Sequence, residues 1–130
     1  MEDHGWVSRE ESIRLQRSAN LLLLASWNTA ALKGVLTGKL FEYLMMDKPI
    51  VCCVGGELPD SGVKQILTQT GMGFCCEEAA GEADEQALKE YLRTMIVRWR
   101  NGEELLVDKQ QQEVDAYAYP QLAEKLAGWI

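Results

Sequence analysis

The residues best suited to ligand chemistry lie in the segment from Thr37 to Glu42. Thr37 is a candidate helix N-cap, and Gly38 would let the backbone approach a ligand closely. Lys39 and Glu42 would then lie in the first turns of the helix. Because helix N-termini attract anions, this combination predicts a site for a nucleotide diphosphate.

Two common phosphate-binding motifs are absent from the sequence. A Walker loop needs four residues between its first glycine and Gly-Lys, but Gly34 and Gly38 enclose three, and Leu40 follows Lys39. No Gly-x-Gly-x-x-Gly follows a predicted strand. His4 is the only histidine and lies near the start of the chain, which disfavours a catalytic triad or a histidine metal site.

The four cysteines occur as two adjacent pairs, Cys52-Cys53 and Cys75-Cys76. Paired zinc ligands are usually separated by two or more residues, and neighbours on a strand point to opposite faces. We therefore predict no metal site and interpret the cysteines as small core residues of a protein in a reducing cytoplasm.

Composition restricts the class of protein. With 130 residues the chain is long enough for one domain, and 47% hydrophobic and 25% charged residues are ordinary for a globular protein. The net charge of −7 argues against nucleic-acid binding. No segment approaches the roughly 20 apolar residues of a transmembrane helix, and the first residues do not resemble a signal peptide. A cytoplasmic location is predicted.

The predicted site depends on a helix from Gly38 to about Met46, followed by a strand from Ile50 to Val54. One apolar stripe of the helix would face the core: Leu40, Phe41, Leu44 and Met45. The other side would carry Lys39, Glu42, Tyr43 and Met46. Pro49 disfavours helix before the strand, whose continuous apolar run is typical of a parallel strand covered on both faces.

The rest of the chain alternates between predicted strands and helices. The other predicted strands are Gly5–Val7, Leu21–Ala25 and Gly73–Cys76. Predicted helices start at the N-cap Ser8, near Val63, at the N-cap Asp84, at Glu103 and at Pro120. Gly71 is the predicted C-terminal cap of the second, Asn101-Gly102 ends the third, and the fourth runs to about Val114. The helix after Asp84 carries an apolar stripe: Ala87, Leu88, Tyr91, Leu92, Met95, Ile96 and Trp99.

This alternation predicts an α/β fold, a Rossmann-like parallel sheet of about four strands with flanking helices. The loops Ser26–Thr37, Gly55–Ser61 and Glu77–Ala83 would gather at the carboxyl edge of the sheet, where such folds bind ligands. We interpret Glu77–Ala83 as a solvated surface without a function of its own.

The motif from Lys39 to Val51 resembles a known signature. Lys-Leu-Phe-Glu-Tyr-Leu followed by Asp-Lys-Pro-Ile-Val is similar to the donor site of group-one GT-B glycosyltransferases, which act in capsule and cell-surface polysaccharide synthesis. In that family a glutamate is followed by six residues, a proline and a strand, and Glu42 to Pro49 keeps this spacing. The resemblance spans about residues 5 to 130 and covers the later part of the C-terminal, nucleotide-sugar-binding domain.

The resemblance implies a role for each matching residue. Glu42 would hydrogen-bond the ribose hydroxyls of a UDP- or GDP-sugar donor, and Lys39 would face the diphosphate. The amides of Leu36, Thr37 and Gly38 would also face the diphosphate, and the backbone at Val7 would lie near the base. No catalytic residue, metal or further cofactor is implied.

The chain departs from the family pattern in two ways. Gly34 stands where the family commonly has a glutamate that contacts the donor sugar. The N-terminal acceptor domain and the first strands of the C-terminal domain have no counterpart, so we expect a fragment that is inactive alone. An exposed sheet edge would then favour self-association. Two alternatives are a non-catalytic interaction module and a flavodoxin-like nucleotide-binding regulator.

Overall fold

A computed structural model describes residues 7–31, 38–105 and 110–115. Its helices are α1 (Arg9–Ser18), α2 (Gly38–Leu44), α3 (Gly62–Thr70), α4 (Glu82–Arg100) and α5 (Gln111–Asp115). Its strands are β1 (Leu22–Trp27), β2 (Ile50–Gly55) and β3 (Gly73–Glu77), and a 3-10 turn, Glu78–Ala80, follows β3. The strands form one parallel sheet in the order β1-β2-β3.

The α/β class and the parallel sheet are confirmed, but the described residues contain three strands, not about four. In the predicted strand Gly5–Val7, Gly5 and Trp6 lie outside the described residues, and Val7 belongs to no strand because it directly precedes the N-cap Ser8. Within the described ranges, β1 therefore has an unpaired outer edge.

Local signals in the sequence set the helix ends. The Ser8 side chain accepts a hydrogen bond from the Glu11 N–H at 3.1 Å, as the predicted cap requires. Gly71 ends α3 with φ at 67°, a left-handed conformation that glycine adopts without strain. Asn101 ends α4, as predicted. These ends are confirmed because each depends on residues within one turn.

One face of the sheet, here called the inner face, carries the core. Alternate residues of the strands meet the apolar sides of α2 and α3 and one residue of α5. The core comprises Leu22, Leu24, Leu40, Leu44, Ile50, Cys52, Val54, Val63, Ile66, Leu67, Met72, Cys75 and Val114. The prediction that Leu40 and Leu44 face inward is confirmed, but Met45 is 45% exposed, while Tyr43 and Met46 pack against the core instead. The reason is that α2 ends at Leu44 and the chain turns away.

The opposite face, here called the outer face, is covered only in part. Helix α4 packs on β3, where the rings of Phe74 and Tyr91 stack with centroids 5.6 Å apart. Val51 is 2% exposed, but Cys53 is exposed and Leu23 is 66% exposed. The prediction of a strand covered on both faces is thus wrong at Cys53, because α4 does not reach across β1.

Helix α4 itself differs from its prediction at both the cap and the stripe. It begins at Glu82 after the N-cap Gly81, so Asp84 lies in the first turn. Met95 is buried, but Ile96 and Trp99 are 47% and 58% exposed, so the predicted stripe is buried only in part.

The predicted helix Glu103–Val114 is shorter than expected. Residues 103–105 are not helical, residues 106–109 lie outside the described ranges, and α5 begins at Gln111. The Gln110 N–H donates to the Thr70 carbonyl at 2.7 Å, which ties the start of α5 to the end of α3. The predicted helix from Pro120 also lies outside the described residues.

Candidate functional site

The predicted donor residues lie at the start of α2. Because α2 connects the parallel strands β1 and β2, its N-terminus lies toward the carboxyl edge of the sheet. Gly38 is the first helical residue, as predicted. Leu36 and Thr37 lie outside the described residues.

The Lys39 ammonium links α2 to α1. Its Nζ donates to Glu42 Oε2 and to Ser12 Oγ, each at 3.3 Å. The Ser12 N–H in turn donates to the Ser8 carbonyl at 2.9 Å, directly after Val7. The structure therefore brings Lys39 and Glu42 to the first turn of α1, while Val7 precedes that turn and no hydrogen bond among the described residues joins it to either side chain.

The charges of Lys39 and Glu42 offset each other in this arrangement. Their side chains are 49% and 18% exposed, so the pair lies at the surface with the carboxylate partly packed. An ion pair at this spacing on a helix contributes only about 0.2–0.5 kcal/mol. Such a pair is compatible with two interpretations. The two side chains can simply be the solvated side of the helix, or they can be groups that a polar ligand binds.

Among the described residues, two backbone N–H groups at the carboxyl edge donate hydrogen bonds to glutamates. Glu78 Oε2 accepts from the Gly56 N–H at 2.7 Å, and Glu57 Oε1 accepts from the Ala30 N–H at 2.8 Å. The Ala30 hydrogen bond lowers the pKa of Glu57 from its ordinary value. Because these carboxylates occupy the donors that an oxyanion would use, this part of the edge is closed to a diphosphate.

Glu77 also accepts hydrogen bonds from the loop after β2, and it is 1% exposed. Its carboxylate accepts from the Ser61 N–H at 2.7 Å and the Asp60 N–H at 3.1 Å, and lies 3.4 Å from Lys64 Nζ. Burial would raise the pKa of Glu77, but the hydrogen bonds from Ser61 and Asp60 and the Lys64 charge lower it overall. Its backbone N–H donates to Asp84 Oδ2 at 2.9 Å.

These contacts correct two predictions. The segment Glu77–Ala83 is not simply a solvated surface, because Glu77 is buried and Glu78 holds the loop after β2. Asp84 does not cap α4 but bonds back to the last residue of β3. Sequence reasoning missed these roles because the partners are distant in the chain. The available signal was a glutamate at the end of a strand, next to the apolar residues that predicted that strand.

Asn28 joins the end of β1 to the loop after β2. Its Nδ2 donates to the carbonyls of Leu58 and Pro59 at 3.1 and 3.2 Å, and its N–H donates to the Gly55 carbonyl at 2.8 Å. Gly56 has φ at 112°, and a Cβ there would lie 2.4 Å from the Asn28 carbonyl oxygen. The glycine at position 56 is thus required by close backbone packing.

The described residues give little support to other kinds of site. A surface cleft of about 290 Å³ lies along α3 and contains none of the predicted donor residues: its lining is Asp60, Lys64, Gln65, Thr68 and Gln69. Within the described ranges, no three His, Cys, Asp or Glu side chains are grouped to hold a metal ion. In the same ranges, no helix has the length and apolar character needed to cross a membrane.

The described residues define an α/β protein, in which a three-stranded parallel sheet carries helices on both faces. No protein-family model, curated protein or solved structure matches the chain. The likeness to glycosyltransferases therefore rests on the motif from Lys39 to Val51.

Proposed function

We propose that this chain is the donor-binding part of a GT-B-type glycosyltransferase and holds the nucleotide diphosphate of a UDP- or GDP-sugar. The observation that carries the proposal is the contact of Lys39 with both Glu42 and Ser12, which joins the first turns of α2 and α1. The resemblance gives Lys39 a contact with the diphosphate and Glu42 a contact with the ribose. In the complete enzyme, stabilisation of the departing diphosphate would drive glycosyl transfer to a cell-surface polysaccharide or glycoconjugate.

A ligand can recruit both members of the ion pair at small cost. The Lys39 ammonium is half exposed, and an exposed ion pair is worth only about 0–1 kcal/mol. A diphosphate would replace one carboxylate partner of Lys39 with several phosphate oxygens. Glu42 would then be free to accept two ribose hydroxyls, with charge-assisted hydrogen bonds in place of the ion pair.

Affinity for the isolated nucleotide should be weak. Glu57 and Glu78 lie at the same edge of the sheet, and the net charge of the chain is −7. Both facts oppose the binding of a negatively charged nucleotide. We expect a dissociation constant for UDP or GDP near millimolar, about −4 kcal/mol.

A nucleotide titration followed by amide NMR tests the proposal. UDP or GDP should shift the amide resonances of Gly38, Lys39 and Glu42. Glu42→Gln keeps the shape of the side chain but removes its charge, and should weaken binding by about 1–3 kcal/mol. Lys39→Ala should weaken binding by an amount that shrinks as salt rises, because the contact is mainly Coulombic.

Glu90→Gln is the matched control for this titration. Glu90 forms the same kind of helical pair, with Arg93 at 2.9 Å, but lies on the distant helix α4. Equal binding by Glu42→Gln and Glu90→Gln, or shifts confined to other loops, would show that the motif does not bind the nucleotide.

The non-catalytic module is the second candidate, and the bare outer face of β1 favours it. Leu23 and Trp27 are 66% and 43% exposed beside an edge that is unpaired within the described residues. Such an edge can add a strand from a partner or a second copy. A flavodoxin-like regulator would instead show bound flavin absorbance. A cytoplasmic location is part of the proposal in each case.

A further inference from the structure

The four cysteines form two pairs across neighbouring strands. The register of β2 and β3 places Cys52 opposite Cys75 and Cys53 opposite Cys76. Since successive residues on a strand point to opposite faces, Cys52 and Cys75 share the inner face, while Cys53 and Cys76 share the outer face. All four are free thiols. The two pairs therefore have the same place in the strand register and differ in their surroundings.

Access distinguishes the outer pair from the inner pair. Cys53 is exposed and Cys76 is half-buried, whereas Cys52 and Cys75 are buried in the core with residues of α2 and α3. Ala25, the neighbour of Cys53 in the register with β1, is also exposed, so a reagent can approach Cys53 from the β1 side without moving α4. A thiol reagent that acts on the folded chain should therefore reach Cys53 first.

The strand spacing is compatible with a disulfide between Cys53 and Cys76. Opposed residues on neighbouring strands have Cα atoms about 4.8 Å apart, and disulfides join Cα atoms about 4.4–6.8 Å apart. The Cβ atoms of a disulfide lie about 3.5–4.5 Å apart, so the two strands need to approach by about 0.3–1 Å. The next pair in the register, Val54 opposite Glu77, is the last of this ladder. The two cysteines thus lie close to the strand ends, where a small shift disturbs few backbone hydrogen bonds.

The surroundings of the two thiols define the order of reaction. Burial is the largest cause of a raised pKa at Cys76, and the neighbouring Cys53 is the next, which agrees with their pairing in the register. The thiolate is the reactive species, and a thiol with a raised pKa forms little of it, so Cys76 is the weaker first nucleophile. Cys53 is therefore the attacking thiol, and Cys76 is the thiol that resolves the intermediate.

We infer that Cys53 is a site of reversible oxidation by small-molecule disulfides, with Cys76 as its resolving thiol. The Cys53 thiolate attacks one sulfur of oxidised glutathione, whose S–S bond breaks and releases one glutathione. The Cys76 thiolate then attacks the Cys53 sulfur and expels the second glutathione, which leaves a Cys53–Cys76 disulfide. The protons of the two protein thiols end on the two glutathione thiols. Two protein thiols are thus oxidised, and one glutathione disulfide is reduced.

This site is separate from the proposed donor site. The disulfide would connect β2 to β3 on the outer face, whereas α2 packs on the inner face, so neither Lys39 nor Glu42 takes part. In a reducing compartment such a disulfide forms transiently, as in redox-sensing proteins.

Oxidised glutathione added to the folded, reduced chain tests the inference. The remaining free thiols are then blocked with N-ethylmaleimide in urea, and the intact mass and fragment ions identify the linked residues. The unaltered chain should take up N-ethylmaleimide at Cys52 and Cys75 and carry a link between Cys53 and Cys76. Cys76→Ser should instead keep one glutathione on Cys53, because no thiol lies opposite to displace it. Cys53→Ser should react at least about tenfold more slowly, because its remaining thiols are less accessible.

The double variant Cys52→Ala/Cys75→Ala is the matched control, since it removes the inner pair and keeps the outer one. It should form the disulfide as fast as the unaltered chain, whereas Cys53→Ser/Cys76→Ser should form none. The fragment ions of the unaltered chain identify the linked pair without any variant. A link between Cys52 and Cys75, a link between two copies, or glutathione that stays on Cys53 of the unaltered chain would each overturn the inference. An unaltered chain that does not react would overturn it too.

Discussion

Replacing Glu77 by glutamine should destabilise the fold, because it removes the charge that accepts hydrogen bonds from the Ser61 and Asp60 N–H groups. A hydrogen bond to a charged group contributes about 1.5–3 kcal/mol and a neutral one about 0.5–1.5 kcal/mol. The glutamine oxygen can keep the Ser61 N–H as a neutral bond, a loss of about 1 kcal/mol. Its amide would meet the Asp60 N–H with a donor, and a buried donor left without a partner costs about 1–3 kcal/mol.

The expected loss in the free energy of unfolding is therefore about 2–4 kcal/mol. The Lys64 side chain is 37% exposed, so loss of its ion pair adds little. Small domains are stable by only about 5–15 kcal/mol, so urea unfolding followed by circular dichroism at pH 7 should show a clearly lower midpoint.

The same measurement should depend on pH. Because the folded pKa of Glu77 is lowered, its stabilisation is present above its ordinary pKa of 4.5 and is lost as pH falls through the folded pKa. The difference between the unaltered chain and Glu77→Gln should shrink over that range. Glu57→Gln, an exposed glutamate that also accepts one backbone N–H, is the control and should leave the midpoint unchanged. A pH-independent difference, or equal effects of the two changes, would refute the reasoning.

Three further predictions test the sheet. Val51→Asp should unfold the chain, because a carboxylate at a position that is 2% exposed on the central strand costs several kcal/mol; an unchanged melting temperature would contradict this. Gly73→Ala should destabilise by roughly 3 kcal/mol, since its Cβ would lie 1.8 Å from the Ile50 carbonyl oxygen, and urea unfolding would measure it. Leu23→Lys should abolish concentration-dependent association in sedimentation experiments, whereas Val97→Lys on exposed α4 should not; equal association would exclude the β1 edge.

Features set by neighbouring residues could be predicted from the sequence. The cap at Ser8 and the left-handed Gly71 each depend on hydrogen bonds within one turn. The apolar run from Ile50 to Val54 predicted the central strand, and the start of α2 at Gly38 was also predicted. The location of Lys39 and Glu42 at the sheet edge follows from these local elements.

Features set by distant partners could not be predicted. Periodicity placed Met45, Ile96 and Trp99 on apolar stripes, but it cannot tell whether another element lies opposite them. Glu77 and Asp84 bond to residues in other elements. The pairing of Cys52 with Cys75 and of Cys53 with Cys76 across the strands was missed for the same reason, because the sequence does not show the register between β2 and β3.

The hydrogen bonds from backbone N–H groups to Glu57 and Glu78 also determine where an anion can bind at the carboxyl edge. A phosphate at the Gly56 or Ala30 amide would have to displace Glu78 or Glu57 and would then lie beside that carboxylate. Two like charges 4 Å apart repel by about 4 kcal/mol near a protein surface. That repulsion cancels the −4 kcal/mol of a millimolar complex. The first turn of α2 is different, because Lys39 offers a charge that its partner Glu42 gives up at small cost. An anionic ligand of this edge should therefore bind where α1 and α2 meet.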